Sequence, residues 1–279
     1  MRITILAALF ILVSCDGTDQ SEYEEAIHSL ESSFVVGRGI SKMDSGDYRG
    51  AIEDFNKAIQ HDPNDAFAYN SRGMSKRNLG DYRGAIEDYS RAIELDPNDA
   101  LGYVGRGISK KNLGDYRGAI EDFNKAIQHD PNDAFAYNSR GAIKSLLYDH
   151  RGAIEDYNRA IQLDPNNAQR YVGRGISKAD LGDYRGAIED YNRAIQLDPN
   201  NAQGYVGRGI SKKNLGDYRG AIEDFNKAIQ LDPNDAIAYN NRGMSKLLIG
   251  DFNGGCLDLS RAGELGQMEV YDLIRKYCQ

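Results

Sequence analysis

A spacing of 34 residues runs through this chain and limits what it can fold into. Glycines stand at 46, 80, 114, 182, 216 and 250, all separated by multiples of that spacing, with Tyr148 in the one missing slot. The six prolines, at 63, 97, 131, 165, 199 and 233, keep the same period, each inside an Asp-Pro-Asn triplet. A period in this range signals stacked supersecondary units, each of which can bury its apolar face only against its neighbours. The stretch Tyr103–Gln128 recurs unchanged as Tyr205–Gln230, so the array reads as the product of recent block duplication.

The unit from Ala66 to Asp99 shows how one period folds. Apolar or small residues fall at Tyr69, Gly73 and Leu79, then at Tyr82, Ala85, Ile86, Tyr89, Ala92 and Ile93, the second set at helical spacing. Gly80 supplies a left-handed stop for the first helix, and Asp81 is a ready N-cap for the second. Pro97 blocks continuation and Asp99 can cap the next unit. Gly73, Ala85 and Ala92 are small because two antiparallel helices joined by so short a turn must approach closely. The expectation is an all-α chain of seven helix-turn-helix units at 32–65, 66–99, 100–133, 134–167, 168–201, 202–235 and 236–269, closed by a C-terminal capping helix over 270–279.

An early aromatic (Tyr69), a Gly four residues later (Gly73) and the run Tyr-x-x-Ala-x-x-x-Tyr-x-x-Ala-x-x-x-x-Pro at Tyr82, Ala85, Tyr89, Ala92 and Pro97 resemble the tetratricopeptide (TPR) signature. The resemblance extends over residues 32–269. It implies a right-handed superhelical solenoid, with first helices lining the concave side, and a non-catalytic role in holding a protein or peptide. One departure repeats in all seven units: Arg72 and Lys76 and their equivalents stand where the family usually has Leu and Tyr.

Those cations lie on the stripe that carries Tyr69 and Gly73, and a charge facing a helix seam needs a partner. Arg72 and Asp88 sit eight residues either side of Gly80, level with each other on antiparallel helices. Arg106 and Asp122 repeat the relation, so the residues read as a structural ion-pair ladder. The alternative is a basic stripe that lifts its charged ends toward an acidic ligand.

On the resemblance, a ligand would meet first-helix residues that point away from the hairpin. These are Phe67, Asn70, Met74 and Arg77 in one unit, Leu101, Val104, Ile108 and Lys111 in the next, then Phe135 and Asn138, and later Val206, Ile210 and Lys213. Apolar, amide and basic groups mix here, which suits a peptide with apolar anchors and an acidic residue. Residues such as Ile108 and Ile210 could equally pack between neighbouring units. The family's clamp for C-terminal carboxylates is not supported, because Val104, Gly105 and Ile108 occupy its positions.

The seventh unit departs from the pattern at Gly255, Leu259, Gly263 and Gly266, and an amphipathic segment with Val270, Tyr271, Ile274 and Tyr277 on one side follows as a cap. Cys256 and Cys278 fall nearly level about a bend at Gly266, so they form either a disulfide or two buried thiols.

Residues 1–14 read as a signal peptide: Arg2, then an apolar run too short to span a bilayer. Leu12-Val13-Ser14-Cys15 resembles the lipobox of bacterial lipoproteins, which implies a mature chain starting at lipidated Cys15, a tether and helical lead-in over 15–31, and attachment to a membrane of the bacterial cell envelope, on its periplasmic face or the cell surface. An ordinary secretory signal ending near a Cys is the alternative. A net charge of -8 with no basic cluster argues against nucleic acid. The four histidines lack zinc spacing, the Asp-Pro-Asn turns lack the remaining ligands of a calcium loop, and no phosphate loop or nucleophile motif is present. No catalytic residue, metal, cofactor or small-molecule substrate is therefore expected. The expected function is an envelope-anchored interaction scaffold, with an assembly factor for a pilus or secretion machine and a surface-displayed adhesion protein as the two alternatives.

Overall fold

The computed structural model describes the backbone of residues 20–278 and the side chains of residues 31–278, so the signal segment and Cys15 lie outside the described residues. The described chain is helical, in fifteen segments without a strand. They are α1 (Gln20–Asp44), α2 (Tyr48–His61), α3 (Ala66–Asn78), α4 (Tyr82–Leu95), α5 (Ala100–Asn112), α6 (Tyr116–His129), α7 (Ala134–Leu146), α8 (His150–Leu163), α9 (Ala168–Asp180), α10 (Tyr184–Leu197), α11 (Ala202–Asn214), α12 (Tyr218–Leu231), α13 (Ala236–Leu248), α14 (Phe252–Glu264) and α15 (Val270–Tyr277). They fall into two compact bodies, one up to Pro131 and one from Asn132. Within each body odd- and even-numbered helices pair as hairpins, and each hairpin packs on the next. The lead-in is helical and runs straight into the first unit, so that α1 spans 25 residues.

Each turn is built by the residues that mark the period. Gly80 takes φ +83, and the amides of Gly80 and Asp81 donate to the carbonyls of Arg77 and Lys76, closing the paired bonds of a Schellman stop. Asp81 then accepts from the Gly84 amide at 2.9 Å and starts α4. Tyr148 adopts φ 64, the only positive value at a non-glycine residue among those described, and its side chain is 85% exposed. The hairpin core is small. Ala51, Ala85, Ala119, Ala153, Ala187 and Ala221 are fully buried, which lets paired helices close on one another.

The charged stripe is folded inward. Asp88, itself buried, receives Arg72 Nε at 2.9 Å and Nη2 at 2.6 Å, with Lys76 Nζ 2.8 Å from its second oxygen. Asp122 holds Arg106 and Lys110 in the same way, and Asp54, Asp156, Asp190, Asp224 and Asp258 repeat the arrangement. The guanidinium lies over the Tyr ring three residues before it, 5.3 Å away at Arg72 and Tyr69. Its remaining nitrogen reaches back to the preceding unit: Arg72 Nη1 donates to Asn56 at 2.7 Å, Arg106 to Ser90 at 3.1 Å, and Arg174, Arg208 and Arg242 to Asn158, Asn192 and Asn226 at 2.7 Å. One side chain thus ties its own hairpin shut and ties it to its neighbour.

Units meet through two kinds of contact. Tyr89, Tyr157 and Tyr191 lie against Gly105, Gly173 and Gly207 of the following first helix, where an added Cβ would stand 2.3, 2.6 and 2.4 Å from a ring carbon. Burial pushes the Tyr89 and Tyr157 phenols up to about 12. After Phe55 and Phe225 the corresponding residues are Ser71 and Asn241. The longer tyrosine therefore goes with glycine, and phenylalanine goes with a residue that has a side chain.

At the C-terminal end Val270, Leu273 and Ile274 pack on Leu259 and Ala262, while Tyr271 and Tyr277 remain 43% and 40% exposed. The cap thus turns its aliphatic residues inward, while Tyr271 lies partly exposed against Gly263. Cys256 and Cys278 are joined, with sulfurs 1.99 Å apart and a sequence separation of 22. Closing a loop of that size stabilises the cap by about 3 kcal/mol in the chain-entropy model.

Two outcomes follow from these contacts. Gly105→Ser forces a side chain into the Tyr89 ring and should cost about 1–3 kcal/mol by urea unfolding, whereas Gly105→Ser with Tyr89→Phe recreates the Phe55–Ser71 pair and should recover most of it. Additive costs would contradict the pairing. The Asp54 carboxyl is held below the usual carboxylate range, chiefly by the Arg38 hydrogen bond and further by Lys42, against the opposing effect of burial. A carboxylate so depressed stabilises the fold above its unfolded pKa and loses that contribution as pH falls through its folded pKa. Asp54→Asn should accordingly lower stability at pH 7 and flatten its loss on acidification; parallel curves of urea midpoint against pH would refute this.

Candidate functional site

First helices pack on one another as well as on second helices: α1 on α3 and α3 on α5 in one body, and α7 on α9, α9 on α11 and α11 on α13 in the other. Each body therefore carries a continuous first-helix face. Its openness depends on position along the helix. The second helical residue is exposed, with Phe67 at 53% and Leu101 at 69% in the first body and Phe135 and Ile237 at 49% in the second, and the last residues Leu146 and Leu248 of α7 and α13 are open as well. An N-cap Asp fixes this edge, for Asp99 accepts the Leu101 amide at 3.0 Å and Asp133 the Phe135 amide at 2.8 Å. Gln169 and Gln203 occupy the same place and are hydrogen-bonded to each other at 3.3 Å.

Deeper positions are shared with the seam between units. Asn70 is half-buried, donating its amide to the Asp99 carboxylate at 2.8 Å, and its own oxygen is buried with no donor among the described residues. Val104, Asn138, Met74, Ile108 and Ile210 are half-buried. Val206 does not belong to a ligand-facing surface: it is 9% exposed and packs in a cluster with Ala221, Phe225, Ala228 and Ala238. Its neighbours lie on the second helix of its own unit, α12, and on α13 of the following unit, which together close over it.

Basic groups differ in the same way. Lys111 is exposed and Arg77 half-buried. Lys213 is half-buried and donates to Asn241 Oδ1 of the next unit at 2.7 Å, and burial lowers its pKa. Arg72 and Arg106, with side chains 17% and 20% exposed, are committed to Asp88 and Asp122, so they form an internal clamp and not a stripe open to an acidic ligand.

The open set is thus Phe67, Leu101, Phe135 and Lys111, flanked by half-open Met74, Arg77, Val104, Ile108, Asn138 and Ile210. Ile237, Gln169 and Gln203 share the open edge and were not singled out by sequence pattern, although they stand 34-residue multiples from Phe67 and Leu101. Such a face offers apolar knobs and a few hydrogen-bonding groups. Among the described residues no group of three His, Cys, Asp or Glu side chains could hold a metal ion, and no helix is long and apolar enough to cross a membrane.

Comparison with known proteins places this geometry. Tetratricopeptide repeat models match residues 66–99 and 100–133, and again 136–167, and a TPR repeat model matches 175–216 and 212–248. Together they take in well over half of the chain. No curated protein matches it. Among solved structures, a tetratricopeptide repeat protein from Parabacteroides merdae ATCC 43184 is similar at TM-score 0.65 and 20% identity, covering 90% of this chain and 100% of that one. MamA protein is similar at TM-score 0.56 and 28% identity, covering 61% and 93%. YrrB, described as a TPR protein with an unusual peptide-binding site, is similar at TM-score 0.58 and 20% identity, covering 68% and 99%. By its repeats, its hairpin packing and these matches, the chain belongs to the tetratricopeptide repeat family.

Proposed function

We propose that this protein is a non-catalytic scaffold, anchored in the bacterial cell envelope through lipidated Cys15, that holds a partner protein or peptide on its first-helix face. The observation that carries the reading is the exposed apolar edge. Phe67 and Leu101, followed by Phe135 and Ile237, stay open to solvent at the same N-terminal place on their helices, multiples of 34 residues apart. Exposed aromatic and aliphatic residues beside a cation suit an extended or helical peptide with apolar anchors and an acidic residue that meets Lys111. Support for the anchor comes from Leu12-Val13-Ser14-Cys15 behind a short apolar run.

The test is affinity capture from detergent-solubilised membranes with the wild-type chain and with Leu101→Glu. A partner retained by wild type and lost with Leu101→Glu at unchanged melting temperature is expected. Equal recovery by both proteins would remove the face from the function. Metabolic labelling with palmitate should mark wild type and not Cys15→Ser, and an unlabelled wild-type chain would overturn the anchor.

A further inference from the structure

Where the receiving first helix carries glycine, at Gly105, Gly173 and Gly207, it meets the second helix of the unit before it through a shared set of contacts. Around Gly105 it consists of the Tyr89 ring, the Arg106 bond to Ser90 at 3.1 Å, and Ile93 over Gly102, where a Cβ would stand 2.9 Å from Ile93 Cγ1. Around Gly207 the Tyr191 ring, the Arg208 bond to Asn192 at 2.7 Å and Ile195 over Gly204 repeat it. The serine one turn on, Ser109 or Ser211, is fully buried by the contact.

The first unit carries the same receiving residues on α1, namely Val36, Gly37, Arg38 and Ser41, and no second helix precedes it among the described residues. A Cβ on Gly37 would have nothing within 4 Å. Ser41 is exposed, and the Arg38 side chain is 42% exposed where Arg106 and Arg208 are 20% and 19%. Arg38 makes its two bonds to Asp54 and lacks the third, to a preceding helix, that Arg106 and Arg208 make. Phe34, 49% exposed, replaces the small residue on which Ile93 or Ile195 would rest.

We infer that this open face of α1 is a docking site for an α-helix of a partner protein that carries Tyr, then Ser or Asn at the next position, and Ala or Gly four residues after the Tyr. The tyrosine ring lies on Gly37, the side-chain oxygen accepts from the free guanidinium nitrogen of Arg38, and the small residue makes room for Phe34. The chain's own contacts supply the first two requirements, and Phe34 sets the third. In a second copy of this chain the equivalent tyrosines, Tyr89, Tyr157 and Tyr191, are already seated on Gly105, Gly173 and Gly207 of their own following units. Its second helices carry Ile at the third place in six units, at 59, 93, 127, 161, 195 and 229, and the exception, Gly263, is covered by Val270 and Tyr271 of its own cap. The docking site lies apart from the exposed edge discussed above and does not depend on that reading.

The probe is a fluorescent, helix-stapled peptide with the sequence of α10, Tyr184–Leu197, bearing Ile195→Ala, titrated into the full chain and followed by anisotropy. Saturable binding is expected, weakened at least about tenfold, or ~1.4 kcal/mol, by Gly37→Leu in the protein or Tyr191→Ala in the peptide. Leu101→Glu should leave it unchanged, which separates this surface from the groove. Phe34→Ala, which reopens the third position, should let the unmodified Ile195 peptide bind. Absence of saturable binding by both peptides to wild type and Phe34→Ala, or binding indifferent to Gly37→Leu, overturns the inference. Self-association in sedimentation velocity that Gly37→Leu abolishes would also overturn it, by assigning the face to a second copy.

Discussion

The buried carboxylate at the centre of each hairpin is the interaction on which the rest depends. Asp88 and its equivalents are almost wholly out of water, and each faces two cations, with Arg bonded through two nitrogens and Lys against the second oxygen. A carboxylate so placed is tolerable only with its charge matched and its lone pairs occupied. The alanines and glycines that let the helices close leave little apolar surface per unit, so hydrophobic burial is spread thinly over many copies. The guanidinium also reaches the preceding second helix, which couples folding within a unit to stacking between units. That coupling is the nearest-neighbour term on which repeat arrays rely for cooperativity.

Once the cations are committed inward, what is left to meet a partner changes. Seven units repeat a strongly charged motif, yet beyond the first unit Arg and Lys of that motif present little of themselves on the first-helix face. The open groups are the apolar edge residues, Phe67 and Leu101 among them, and a few unshared cations such as Lys111. Near-identical units repeat similar chemistry from one first helix to the next within each body. The two ends are treated differently: α15 closes one with aliphatic packing and a disulfide, while the receiving face of α1 stays open.

Most of the fold was legible in the sequence because its period is enforced by residues with single-purpose geometry. Gly80 and its equivalents supply the left-handed turn, Asp81 the cap and Pro97 the stop, and each appears where the spacing puts it. The pairing of Arg72 with Asp88 followed from counting equal distances about the turn. The candidate site was only partly legible, since periodicity says which side of a helix a residue occupies and not how far the neighbouring unit overlaps it. Val206 was drawn into the core and Lys213 onto Asn241 for that reason. A signal was present all the same: Tyr89 is followed by Val104-Gly105, and Phe55 by Asn70-Ser71, a covariation along one chain that marks those positions as seam.

The most direct measurement is a double-mutant cycle between Arg106 and Asp122 in equilibrium unfolding. An internal clamp predicts that Asp122→Leu, which strands two cations, costs about 3–5 kcal/mol, and that adding Arg106→Leu recovers a substantial part of that loss. If the two costs simply add, Arg106 and Asp122 do not hold each other, and the buried carboxylate is not what organises the array.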